Sequence, residues 1–175
     1  RHRLANHLVV TTVMANMGLE KSLRAAGIAM ARTQVGDKYV LEEMTRRGAA
    51  LGGEPSGHII FRDHASTGDG LLTAAMMIEM LAAAGKPLSA LHRQFGVFPQ
   101  VLRNIRVTRK PPLDQIAGIR EAIARSEREL AEAGRVLVRY SGTEPLVRVM
   151  VEAETAALVK RHADRLVRVV EQELG

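Results

Sequence analysis

Val136-Leu137-Val138-Arg139-Tyr140-Ser141-Gly142-Thr143-Glu144-Pro145-Leu146-Val147-Arg148-Val149-Met150-Val151 places a short polar turn between two apolar, β-branched runs. The runs predict strands over Val136 to Tyr140 and Leu146 to Ala153, and the turn predicts an antiparallel hairpin. The turn itself gathers the groups that a phosphate dianion needs. Arg139 can offer a bidentate, charge-assisted fork, Ser141 and Thr143 can donate hydroxyls, and Gly142 lets backbone N–H groups come close. The same residues also suit an ordinary hairpin turn with an incidental arginine, and composition alone does not separate the two. Arg139 is expected at a solvent-facing hairpin tip, outside the core.

Outward from the hairpin, helical patterns run from Leu113 to Ala133 and from Ala156 to Leu174, and Arg103 to Thr108 predicts a further strand. That order describes a small α+β domain over 105–175, with an antiparallel sheet and two helices on one face. Residues 99–104, containing Pro99, read as a hinge. Before the hinge, strands and helices alternate. Leu8 to Met14 is β-rich, Leu19 to Ala26 is a helix stopped by Gly27, and Ile28 to Arg32 is a strand. Asp37 to Arg47 presents a helical face at Val40, Leu41 and Met44 and ends at Gly48. A longer helix from Gly70 to Ala84, capped by Thr67 or Asp69, ends at Gly85, and Pro87 opens a short helix to about Gln94. Residues 1–98 are therefore expected to form an α/β domain, a mixed sheet layered with helices.

A second polar turn lies in that domain. Gly52-Gly53-Glu54-Pro55-Ser56-Gly57-His58 separates Leu51 from Ile59-Ile60-Phe61 and displays a carboxylate, a hydroxyl and an imidazole. Glu54, Ser56 and His58 suit a polyhydroxylated ligand, since the carboxylate accepts from sugar hydroxyls while Ser and His donate or accept at the edge. A tight turn with solvated polar side chains is the plainer reading. Taken together, the two loops suggest a phosphosugar, one loop for the ring and the other for the phosphate.

These motifs resemble the α-D-phosphohexomutase superfamily and, within it, the bacterial phosphoglucosamine mutases. The resemblance rests on Thr33 to Val40, Gly53 to Phe61, Thr67-Gly68-Asp69-Gly70-Leu71-Leu72, and Arg139 to Pro145 with Val147-Arg148-Val149, in the family's order. It implies most of domain 3, incomplete at its N-terminus, plus domain 4 of a longer four-domain enzyme that interconverts glucosamine 6-phosphate and glucosamine 1-phosphate. The family uses a phosphoserine, a bisphosphorylated sugar intermediate such as glucosamine 1,6-bisphosphate, and Mg²⁺ held by a domain not present here. The resemblance assigns Glu54, Ser56 and His58 to the sugar and Arg139, Ser141, Gly142 and Thr143 to the phosphate. Lys38, where the family usually has Arg, and Arg148 are possible accessory residues. Neither a catalytic residue nor a metal ligand is expected in this portion, which on its own is expected to be inactive. Its partners would be a phosphosugar and the remaining domains of the same enzyme. A mutase for phosphomannose or phosphoglucose, or a non-catalytic phosphosugar-binding module, would share both loops.

Composition fits this picture. The 175 residues are 46% hydrophobic but only 3% aromatic, so the interior is built from Leu, Val, Ala and Met. No cysteine is present, which is compatible with the cytoplasm. Leu71 to Ala84, the most apolar stretch, is too short to span a bilayer. The net charge of +6 comes from basic residues interspersed with acidic ones, with few aromatics to stack on bases. Nucleic acid is therefore not expected, and a positive field suits an anionic sugar phosphate equally well. Asp69 is expected as a helix cap rather than a metal ligand, and His64 as a structural residue. His2, His7, His92 and His162 are expected on the surface or on helix faces.

Overall fold

The computed structural model describes residues 4–92 and 96–175, in two compact units, Arg1–Val97 and Phe98–Gly175. His2 and the expected helix end at Gln94 lie outside the described residues.

The first unit runs β1 (Leu8–Thr12), α1 (Met17–Ala25), β2 (Ala29–Thr33), α2 (Asp37–Arg47), β3 (Leu51–Gly53), β4 (Ile59–Phe61), α3 (Gly70–Ala84) and α4 (Leu88–His92). Its sheet has the order β2-β1-β3-β4, with β1 parallel to β2 and β3, and β4 antiparallel to β3. Val10, Ile60, Val40 and Met44 are buried where α2 covers one sheet face. Gly52 makes this approach possible, because an added Cβ would lie 2.8 Å from Val40 and 2.9 Å from the Val10 carbonyl. α1 starts two residues earlier than the apolar pattern suggests, since the Asn16 side chain accepts from the Gly18 N–H. Asp69 caps α3 by accepting from the Leu72 N–H at 2.9 Å. α3 buries none of its residues, and Leu71 is 87% exposed.

The second unit runs β5 (Gln100–Arg106), α5 (Ala117–Leu130), β6 (Gly134–Tyr140), β7 (Leu146–Ala153) and α6 (Ala156–Leu174). The sheet order is β5-β7-β6, all antiparallel. Val147, Val149 and Val151 of the central strand are fully buried against Ile119 and Leu130 of α5 and Val159, Ala163, Leu166 and Val170 of α6. At about 25 cal/mol per Å² of apolar area removed from water, this layer is the main source of the unit's stability. Two expectations are corrected here. Residues 100–104, read as hinge, are paired in register with β7, from Gln100 opposite Glu152 to Asn104 opposite Arg148. The helix expected over Leu113 to Ala133 is interrupted. A 3-10 turn, Leu113–Gln115, precedes α5, and a second, Ala131–Ala133, follows it.

His162, expected on the surface or a helix face, lies on α6 and is fully buried there. Its Nε2 lies 3.3 Å from the Arg161 guanidinium and 3.9 Å from the Glu129 carboxylate. Burial pushes its pKa below the ordinary 6.5, helped by Arg161 and Arg165 and opposed by Glu129. The unfolded chain thus takes up this proton before the folded one does, so the stability is fully present above pH 6.5 and is lost as pH falls through the folded value. Glu43 and Glu129, held down to about 2 chiefly by arginine hydrogen bonds, lose their contributions only below 4.5. Urea unfolding between pH 6.5 and 4.5 should therefore show falling stability, and His162→Gln should flatten that slope.

Candidate phosphosugar site

In the first unit the polar loops emerge at the carboxyl ends of parallel strands. The chain leaves β1, returns in β2, and then crosses to β3 on the other side of β1. A crevice beyond the strand ends, where the order reverses, is the usual ligand position in such sheets. Glu54 stands there, immediately after β3. Its Oε1 accepts from the Gly36 N–H at 2.8 Å, tying the loop after β2 to the loop after β3. Thr11 Oγ1, near the end of β1, donates to the Gly53 carbonyl at 2.8 Å. A cavity of about 300 Å³ borders this loop, its wall largely apolar, with Val9, Leu19, Leu51 and Ile59 beside Thr11 and Glu54.

The turn closes through the Glu54 N–H donating to the His58 carbonyl at 2.9 Å, and Gly57 adopts φ +97°, a conformation that favours glycine. Ser56 Oγ and His58 Nδ1 lie 3.0 Å apart on the exposed rim. A Cβ on Gly68 would sit 3.0 Å from that of His58, so the Thr67–Gly70 segment packs against the same rim. Three separate motifs thus meet around Glu54 and His58. Lys38 points outward, 76% exposed, and pairs with Glu42 of its own helix at 3.8 Å, an ion pair of little energetic value.

In the second unit Arg139 is not at the loop tip. It lies half-buried in β6, directly opposite Arg148 of β7. Burial first, and the neighbouring Arg148 second, lower its pKa. Two guanidiniums thus face one another across the pair, and the Glu144 carboxylate lies 3.1 Å from Arg148 Nη2. Ser141 is also more buried than a loop tip suggests, at 3% exposure, and its N–H donates to the Leu146 carbonyl at 2.8 Å. Gly142 and Thr143 are exposed. Among the described residues, none accepts from the N–H groups of Gly142, Thr143 or Glu144. Consecutive unpaired N–H groups form an anion-binding concavity. No protein atom lies within 4 Å of a Cβ built on Gly142, so the fold itself leaves room there.

Sequence reasoning missed Lys110. Its Nζ donates to the Ser141 carbonyl at 2.9 Å and lies 5.9 Å from the Tyr140 ring centre, while the Tyr140 hydroxyl donates to the Pro111 carbonyl at 2.7 Å. Only the Pro111-Pro112 pair beside it marks this segment in sequence.

Glu54 therefore has a local structural role besides any toward a ligand. Glu54→Ala should release the Gly36 N–H and cost about 1–3 kcal/mol in urea unfolding. Glu54→Gln keeps an acceptor and should leave stability within about 0.5 kcal/mol of wild type while weakening phosphosugar affinity.

Comparison with known proteins agrees with the geometry. The family model for phosphoglucomutase/phosphomannomutase, alpha/beta/alpha domain III, matches residues 1–97, and that for the C-terminal domain matches residues 102–169. The chain is 50% identical to the phosphoglucosamine mutase of Koribacter versatilis, over 100% of its own length and 38% of that protein's. It is 51% identical to that of Oceanobacillus iheyensis, over 98% and 39%. The chain thus spans less than two-fifths of the curated relatives it matches. The Aspergillus fumigatus N-acetylphosphoglucosamine mutase in complex with glucose 1,6-bisphosphate superposes with a TM-score of 0.80 at 20% identity, over 94% of this chain and 38% of that one. The same enzyme with GlcNAc-6P and magnesium gives 0.78 at 20% identity, over 96% and 42%. Those likenesses show the fold, and the family matches show more: this chain belongs to the phosphoglucomutase/phosphomannomutase family and carries its domain III and C-terminal domain.

Proposed function

We propose that the chain is the substrate-holding portion of a phosphoglucosamine mutase, which interconverts glucosamine 6-phosphate and glucosamine 1-phosphate. In this proposal Glu54, Ser56 and His58 take ring hydroxyls. Arg139, Ser141, Gly142 and Thr143 take the phosphate that is not reacting, and Arg148 and Lys38 add positive charge. The observation that carries the proposal is the loop after β6. Unpaired N–H groups, a partly desolvated guanidinium and an open glycine lie together, a set suited to a phosphate dianion. Half identity to named phosphoglucosamine mutases favours the amino sugar over mannose or glucose.

The chain's own contribution is positioning. A phosphate gripped by a guanidinium and backbone donors, and a ring gripped by a carboxylate, fix the sugar relative to the reacting end and supply binding energy remote from it. Among the described residues, no group of three or more His, Cys, Asp or Glu is placed to hold a metal ion. In this proposal the Mg²⁺ used by the family is held by another domain of the enzyme. Among the described residues, too, no helix is long and apolar enough to cross a membrane. The remaining partner is the rest of the same polypeptide, which would carry the phosphoryl donor.

The full-length protein should convert glucosamine 6-phosphate with a higher kcat/KM than mannose 6-phosphate or glucose 6-phosphate, and the reverse order would overturn the amino-sugar assignment. The 175-residue chain alone, given Mg²⁺ and a bisphosphate activator, should show no turnover. In the full-length protein, Arg139→Ala should raise KM by about ten- to a hundredfold and Arg139→Lys by less, since lysine keeps charge but not the fork. Thermal midpoints should stay close, because removing Arg139 also relieves its repulsion with Arg148.

A further inference from the structure

We infer that Lys110 is a positioning residue that fixes the direction of the Ser141–Gly142 peptide and so turns the loop into an anion receptor. The inference rests on the phosphate-loop assignment proposed above.

The geometry starts from the Lys110 ammonium, which donates to the Ser141 carbonyl at 2.9 Å. That carbonyl and the Gly142 N–H belong to one trans peptide unit and point in opposite directions. Holding the oxygen toward Lys110 therefore aims the Gly142 N–H away from it, and among the described residues nothing beyond the chain neighbours lies within 4 Å of a Cβ built on Gly142. Without the lysine, this peptide could rotate and present its oxygen, which repels a phosphate. Glycine at 142 makes such a rotation sterically easy, so the glycine that admits the ligand also needs an external anchor.

The anchor is itself held. The Tyr140 hydroxyl donates to the Pro111 carbonyl at 2.7 Å, and the Val107 N–H donates to the Pro145 carbonyl at 3.0 Å. The segment 107–111 is thereby laced to the loop at three points, of which only the lysine controls a peptide that faces the ligand. Its charge further favours an anion near the Ser141 carbonyl.

The phosphate held here does not react, so its grip is equal in ground and transition states and should appear in KM rather than kcat. In the full-length protein assayed with glucosamine 6-phosphate, Lys110→Met should raise KM by roughly tenfold with kcat within about twofold, and Lys110→Arg should restore most of the loss. A purely structural lysine would instead lower the folded fraction and apparent kcat and leave KM alone, and that result overturns the inference. Arg139→Ala is the control. If it raises KM while Lys110→Met does not, the Lys110 inference alone fails; if neither moves KM, the phosphate-loop assignment fails first. Should Lys110→Met not fold, Lys110→Gln keeps a neutral donor and should raise KM a few-fold, with an unchanged KM overturning the inference.

Discussion

The register of β6 and β5 on β7 is the constraint from which the second unit follows. Side chains alternate with period two, so placing Val147, Val149 and Val151 under the helices sends Arg148 to the other face. The same alternation puts Val136, Val138 and Tyr140 under the helices and Arg139 beside Arg148. A one-residue slip of β6 on β7 would drive the Arg139 guanidinium into the core without a partner, at a cost no small domain can bear. Core packing and the basic face beside the loop are thus two consequences of a single alignment.

In the first unit the corresponding element is β1, flanked on both sides by parallel partners. Because β2 and β3 run in the same direction, the loops that follow them open at one end of the sheet. The bond between Glu54 and the Gly36 N–H then converts proximity into a fixed distance. Gly52 contributes from below by letting Val40 and Met44 of α2 lie close, which sets the height of the strand that delivers Glu54.

Much of this was legible in the sequence. α2, α3, α6 and β7 span the residues that their periodicity and their glycine and proline punctuation indicate, because each carries a strong apolar pattern between clear stops. β5 was not legible. It is an edge strand whose Gln100, Arg103, Asn104 and Arg106 are exposed, so polar residues next to Pro99 looked like a connector. The chemical identity of the site residues was visible in their motifs, but their burial was not. Ser141 and His162 are hidden by elements distant in sequence, and Arg139 is half-covered in β6, opposite Arg148 of β7. Lys110 reaches the loop across 31 positions of chain, a pairing that no local pattern encodes.

The facing pair Arg139 and Arg148 would, on the phosphate assignment proposed above, have a further consequence. Without an anion the two like charges oppose the fold; with one bound they would support it. A ligand that binds only the folded state adds about 2.7 kcal/mol at a hundred times its dissociation constant. That increment is a sizeable fraction of the 5–15 kcal/mol that typically holds a domain together. Proteolysis draws on the transiently unfolded population, so under the phosphate assignment proposed above the polypeptide would last longer when the anion is plentiful than when it is scarce. On that proposal, the charge arrangement that selects a ligand would also couple the protein's persistence to that ligand's supply.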